Sequence, residues 1–142
     1  MEVDTYQGAI KDANIREIEA KTGCILPDDY IEFVKVFGFA SWEHSVFGVY
    51  DNSQTHIPPS YNFSAITQTE RARAMHASDK YPAFSESIVI GTDCMGGYFL
   101  LVSTTSTLPD RVLWVSHDEL WVVTERWKSF YSYLEYQLSG NP

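Results

Sequence analysis

The strongest constraint on this fold is the spacing of its β-like runs between Ser87 and Val123. Three runs, "SIVIG", "GYFLLV" and "RVLWVS", are followed by a shorter one, "ELWVV". The spacers between them, "TDCMG", "STTSTLPD" and "HD", are rich in turn-forming residues. None of them is long enough to hold a crossover helix, so we expect consecutive strands to be antiparallel neighbours. The sequence therefore predicts an antiparallel sheet of three or four strands in a meander.

Helical patterns lie near the N-terminus of the chain. Asn14 is the predicted N-cap of a first helix, with Glu17 at the capping-box spacing, and Gly23 is the predicted left-handed residue at its end. Pro27 suits the first turn of a second helix, which Gly38 ends. The apolar residues of that helix recur with a helical period and predict one buried face: Tyr30, Phe33, Val34 and Phe37.

The remaining segments complete the predicted element order. "SWEHSVFGVYDN" indicates a first strand or hairpin arm, and residues 63–77 favour a helix. A last helix is predicted from Thr124, as its N-cap, to Leu138. With helices at the N-terminus, between strands and at the C-terminus of an antiparallel sheet, the fold class is α+β. We expect residues 1–142 to form a single domain.

Charge and composition restrict the partners that this chain can bind. The net charge is −9, and residues 86–125 carry six acids (Glu86, Asp93, Asp110, Asp118, Glu119 and Glu125) against one base, Arg111. The negative electrostatic field of these acids repels nucleic acid and attracts a basic partner. Aromatic residues make up 15% of the chain, which is more than a small core hides completely. We therefore expect some of them to face a groove or a partner.

The cysteines and the N-terminal segment indicate a cytoplasmic protein. Cys24 and Cys94 lie far apart, without CxxC spacing or a nearby histidine pair, so we expect free thiols and no metal site. The N-terminus lacks the pattern of a signal peptide. No run approaches the roughly 18 apolar residues of a membrane span, so no membrane association is expected.

The loop "GTDCMGGY" partly matches a phosphate-binding motif. Gly91 and Gly96 have the spacing of a P-loop, but Gly97 stands where lysine is required and Tyr98 where Ser or Thr would bind magnesium. A strand follows, whereas a phosphate site needs a helix N-terminus. The pattern favours a tight hairpin in which Gly96 and Gly97 adopt backbone angles closed to other residues.

Two further patterns could support catalysis, and both have a structural interpretation. Cys94 could act as a nucleophile with His117 as its base, but the acidic surroundings oppose a thiolate. "SHDEL" (residues 116–120) combines His, Asp and Glu, but side chains adjacent in a turn diverge, and no HxH or HxxxH pair is present. We expect no enzyme activity, no cofactor and no small-molecule substrate.

The tryptophans leave two interpretations open. Trp42, Trp114 and Trp121 could be interface anchors, because tryptophan is enriched at binding hot spots. Core packing explains each of them almost equally well.

Four strings in the correct order carry a resemblance to a known family. "IREIEAKTGCILPDDYIEFVKVFG" resembles the opening of SMI1/KNR4-type domains of the SUKH superfamily, and "SIVIGTDCMGGYFLLV" resembles their glycine-containing hairpin. "RVLWVSHDE" is similar to a later strand of these domains, and Ser129 with Phe130 to the Ser-Phe pair of their final helix. The opening string matches the pattern at Ile15, Glu19, Gly23, Leu26, Pro27, Tyr30 and Phe33.

The resemblance implies a non-enzymatic protein-binding domain with an SMI1/KNR4-like fold. Bacterial members are typically immunity proteins that neutralise a toxin of a polymorphic or contact-dependent system, commonly a nuclease. Eukaryotic members act in cell-wall signalling and as interaction scaffolds. The first hypothesis is therefore an immunity protein that occludes a basic cognate toxin, and the alternative is an interaction or regulatory module without a toxin. The expected contacts are three acids and four aromatic residues: Asp93, Asp118, Glu119, Trp42, Tyr50, Trp114 and Trp121.

Overall fold

The computed structural model describes residues 3–6, 12–37, 39–42, 45–48, 63–76, 85–93, 96–116 and 122–139. Within these ranges a seven-stranded antiparallel sheet has its strands in chain order. This confirms the predicted meander. The strands are β1 (Val3–Tyr6), β2 (Phe39–Trp42), β3 (Ser45–Gly48), β4 (Ser87–Thr92), β5 (Tyr98–Val102), β6 (Val112–Ser116) and β7 (Val122–Trp127).

The described helices flank this sheet in the predicted order, which confirms the α+β class. Two precede β2, one lies between β3 and β4, and one follows β7. Their bounds are α1 (Asp12–Thr22), α2 (Asp28–Phe37), α3 (Phe63–His76) and α4 (Phe130–Leu138). The predicted third helix, residues 63–77, thus agrees with α3 to within one residue.

The N-terminal part of the chain differs from the prediction in two respects. Strands β1 and β2 pair with each other, from Val3 opposite Trp42 to Tyr6 opposite Phe39. Strand β1 was not predicted, and β2 overlaps the predicted strand or hairpin segment only at Ser41 and Trp42. The prediction that Asn14 caps α1 is wrong, because the helix begins at Asp12. The predicted end is confirmed: Gly23 has a φ of 70° and donates its amide to the carbonyl of Glu19 at 2.8 Å.

The last helix is shorter than predicted, and Thr124 is not its N-cap. Residues 124–127 belong to β7, where Arg126 pairs with Leu113 and Trp127 with Val112. Helix α4 begins at Phe130 and is capped by Ser129, whose side chain accepts a hydrogen bond from the amide of Ser132. The ladder with β6 therefore prevails over the helical spacing that includes Trp127.

The core lies between the central strands and helices α1, α2 and α4, and aromatic rings dominate it. The ring of Phe130 on α4 lies 4.9 Å from that of Tyr30 on α2, measured between centroids. The ring of Tyr133, one helical turn after Phe130, lies 5.1 Å from both Phe99 on β5 and Trp127 on β7. Such edge-to-face and tilted pairs add about 1 kcal/mol each to area burial. Helix α4 therefore joins the second helix to the sheet.

Burial also affects the ionisation of two core tyrosines. Tyr30 and Tyr133 are fully buried, and burial raises the pKa of both phenols well above the ordinary value of 10.0. The folded core therefore favours the neutral form of both phenols.

Candidate protein-binding site

Asp93 and Trp114, two of the predicted contact residues, lie together at the end of the β4–β5 hairpin. The indole Nε1 of Trp114 donates to Oδ2 of Asp93 at 2.9 Å, and the amide of Gly97 donates to Oδ1 at 2.8 Å. The backbone amide of Asp93 donates in turn to the carbonyl of Gly97 at 3.3 Å. The carboxylate thus closes the turn and orients the indole ring.

The two glycines of this turn are required for different reasons. Gly96 has a φ of 93°, which confirms its predicted left-handed backbone. Gly97 has no positive φ and is instead required by space, because a Cβ there would collide with Oδ2 of Asp93 and lie 2.8 Å from the carbonyl oxygen of Val115. The close approach of β6 to the turn therefore brings Trp114 within reach of Asp93.

The ring of Trp114 is half-buried on the helical side of the sheet. It pairs with Phe99 on β5, with 6.0 Å between ring centroids. On the neighbouring strand β7, the residue paired with Trp114 is Glu125, whose side chain is exposed. Paired residues project from the same face of a sheet with their Cβ atoms about 5 Å apart. An indole flanked by Asp93 and Glu125 combines an aromatic surface with negative charge.

Glu125 was not among the predicted contact residues. The sequence placed residues 124–138 in a helix, so it gave no reason to put Glu125 beside Trp114. The pair lies directly beside a register shift between Trp114 and Val115 in the β6–β7 ladder. Only the strand register brings the two side chains together.

The other predicted contact residues are less fully described. Trp42 lies on β2, and three strands separate it from Trp114 on β6, a distance of roughly 19 Å at about 4.8 Å per strand. Tyr50, Asp118, Glu119 and Trp121 lie outside the described residues, as do Cys94 and His117.

A cluster of polar side chains on α3 was also missed by the sequence interpretation. Arg71 donates to the carbonyl of Thr22 at 2.6 Å, to the carbonyl of Ser87 at 2.9 Å and to the sulfur of Cys24 at 3.2 Å. Thr67 accepts a hydrogen bond from the amide of Val89 at 2.8 Å, beside the irregularity in the β4–β5 ladder. These contacts hold α3 against α1 and β4.

The hydrogen bonds around Arg71 indicate a structural role rather than a catalytic one. Cys24 is 1% exposed, and the guanidinium beside it is also bonded to two backbone carbonyls. Glu70, the preceding residue of α3, is buried and accepts from the hydroxyl of Tyr98 at 3.3 Å. The cluster satisfies backbone groups that would otherwise be buried without a partner.

Within the described ranges, neither a metal site nor a membrane-spanning helix is found. No cluster of three or more His, Cys, Asp or Glu side chains there could hold a metal ion. None of the helices in that part of the chain combines the length and the hydropathy needed to cross a membrane.

Comparison with known proteins identifies the family. The model of the SMI1 / KNR4 family (SUKH-1) matches residues 9–136, which is most of the 142-residue chain. No curated protein matches the sequence significantly. The fold and the match together define the class: the chain belongs to the SMI1/KNR4 family, SUKH-1. The family includes immunity proteins.

Proposed function

We propose that this chain is a cytoplasmic, non-enzymatic immunity protein that binds a basic cognate toxin and blocks its active or substrate-binding surface. Membership of SUKH-1 carries the proposal, because the family includes immunity proteins. The net charge of −9 supports it, since an acidic inhibitor approaches a basic nuclease quickly and in the correct orientation.

The proposed contact surface centres on Trp114, with Asp93 and Glu125 beside it. A tryptophan held by an internal hydrogen bond loses little side-chain entropy on binding, which favours a role as an anchor. Asp118 and Glu119, a few residues further along the chain from Trp114, would supply negative charge in place of the toxin's phosphate substrate. Trp42, Tyr50 and Trp121 complete the proposed set of contacts.

Co-expression with the product of the neighbouring gene tests the function directly. We expect the chain to rescue cells from that product and to bind it with an association rate that falls as salt rises. Trp114→Ala should weaken the complex by about tenfold to a hundredfold, as expected for a hot spot. A neighbouring gene product that is harmless to cells, or that the chain does not bind, would overturn the proposal in favour of a toxin-independent interaction module.

A pair of matched double variants separates a local charge contact from general steering. Asp118→Asn with Glu119→Gln removes two negative charges at the proposed surface. Asp28→Asn with Glu17→Gln removes two charges from exposed positions on α2 and α1. We expect only the first pair to raise the dissociation rate, because dissociation depends on direct contacts. Equal effects of both pairs on association and dissociation would remove Asp118 and Glu119 from the site.

A further inference from the structure

An open apolar groove runs between α2 and α4, outside the surface proposed for the toxin. It has a volume of about 530 Å³. Each helix contributes lining residues from successive turns, so the groove runs along the two helices. Its lining residues are Glu32, Phe33, Lys35, Val36, Tyr131 and Leu134.

Exposed apolar side chains of the described residues concentrate at this groove. Val36 is 69% exposed and Tyr131 is 45% exposed, and both line it. Leu138, also exposed, follows Leu134 by one helical turn and extends the same face of α4. Single exposed apolar residues are ordinary on a protein surface, whereas a contiguous group of them marks an interaction site.

The charged side chains of the groove are not balanced. Lys35 forms a 2.6 Å ion pair with Asp12 of α1, and this hydrogen-bonded lysine lowers the pKa of the Asp12 carboxyl. Glu32 accepts a 2.6 Å hydrogen bond from the neutral hydroxyl of Tyr131, which leaves its charge in place. Within the described part of the chain, no cation pairs with Glu32. The rim of the groove therefore carries an excess negative charge.

We propose that this groove binds an amphipathic helix of another protein, with an apolar ridge between α2 and α4 and a lysine or arginine against Glu32. A helix suits the site because its side-chain ridge fits the groove between two neighbouring helices. The charge of Glu32 and the net charge of −9 select a basic partner. The same net charge disfavours a second copy of the chain, because two such copies repel each other.

A synthetic peptide provides the probe for this proposal. We would use a fluorescently labelled peptide of about 14 residues, with leucines at helical positions i, i+3, i+4 and i+7 and lysines on the remaining face. A scrambled peptide of identical composition has the same charge without the apolar stripe. Fluorescence anisotropy should give an affinity at least about tenfold higher for the amphipathic peptide.

Substitutions at two exposed apolar positions locate the binding site. Val36→Lys places a charge in the apolar lining of the groove and should weaken peptide binding by about tenfold or more. Ile25→Lys makes the same change of charge at a 45% exposed residue outside the groove and should leave binding unchanged. Glu32→Gln keeps an acceptor for the Tyr131 hydroxyl but removes the charge. It should weaken binding severalfold and reduce its dependence on salt.

Three results would overturn the proposal. Equal affinity for the scrambled peptide would reduce the interaction to general charge attraction. Equal loss in Val36→Lys and Ile25→Lys would place the contact elsewhere. A wild-type dimer in sedimentation velocity that Val36→Lys dissociates would show that a second copy occupies the groove. Because the probe is not a toxin, each outcome is independent of the proposed immunity function.

Discussion

Asp93 and Glu32 hold aromatic side chains in the same chemical way but in very different surroundings. Asp93 accepts from the indole of Trp114 at 2.9 Å, and Glu32 accepts from the hydroxyl of Tyr131 at 2.6 Å. Asp93 lies half-buried in a hairpin turn and also accepts from the amide of Gly97. The Glu32–Tyr131 pair joins two helices at the surface, where both side chains are exposed.

Of these two hydrogen bonds, we expect the shorter one to be the less important for stability. Water competes for the exposed groups of Glu32 and Tyr131, and ordering two long side chains costs entropy. The carboxylate of Asp93 is shielded and shared between two donors, so its loss would leave polar groups partly buried without a partner. The burial of each hydrogen bond, more than its length, should therefore determine how much it contributes to stability.

The largest effect on stability should come from Gly97→Ala. The added Cβ would collide with Oδ2 of Asp93 and crowd the carbonyl of Val115, so the turn and β6 must separate. We expect a loss of about 3 kcal/mol in the free energy of unfolding, measured by urea denaturation. Gly23→Ala is the control: its φ is 70° but the space around it is open, and it should cost about 1 kcal/mol. Equal costs would contradict the steric role of Gly97.

Asp93→Asn should have the second largest effect. Asparagine replaces one of the two carboxylate oxygens with an NH2 donor, so either the Gly97 amide or the Trp114 indole would face a donor in place of its acceptor. We expect a loss of about 2 kcal/mol in the free energy of unfolding, together with a change in tryptophan fluorescence.

Glu125→Gln is the matched control for Asp93→Asn, because it changes an exposed acid beside the same indole. It should alter stability by less than about 0.5 kcal/mol. A neutral result for Asp93→Asn would show that Asp93 does not orient Trp114.

The smallest effect should be that of Tyr131→Phe, and it should depend on pH. The hydrogen bond to Glu32 raises the pKa of Tyr131 above the ordinary 10.0, so the folded protein holds this proton more tightly than the unfolded chain. The stabilising contribution is therefore fully present below pH 10 and is lost as pH rises through the raised pKa. Above it, the phenolate and Glu32 repel each other.

The appropriate measurement is the difference in stability between wild type and Tyr131→Phe across this pH range. Taking the difference cancels the alkaline titration of the buried tyrosines Tyr30 and Tyr133, whose pKa values burial also raises. Wild type should be slightly the more stable protein at neutral pH and the less stable one at the highest pH. A difference that does not change with pH would rule out a contribution from the Glu32–Tyr131 bond.

Local patterns predicted the central sheet and the end of the first helix well. The runs around β4, β5 and β6 contain enough β-branched and aromatic residues, and short enough spacers, to predict antiparallel neighbours. The end of α1 at Gly23 depends on one backbone conformation and was equally visible. In these segments the local preference and the tertiary structure agree.

The missed features depend on contacts distant in sequence. Strands β1 and β2 have four residues each and owe their form to their pairing. Residues 124–127 fit a helix or a strand, and the ladder with β6 decides between them. The site shows the same limit: Asp93 and Trp114 were both predicted as contacts, but their hydrogen bond spans 21 positions and follows from strand register.

The order of the strands in the sheet has a consequence for folding during synthesis. Each strand pairs with the one before it, so the sheet can grow as the chain leaves the ribosome. The aromatic core cannot close in this way, because α2 meets α4 through contacts such as Tyr131 to Asp29, 102 positions apart. Until α4 emerges, Tyr30 and Phe33 lack their partner Phe130. A nascent chain stalled before Ser129 should therefore expose this apolar surface and recruit chaperones.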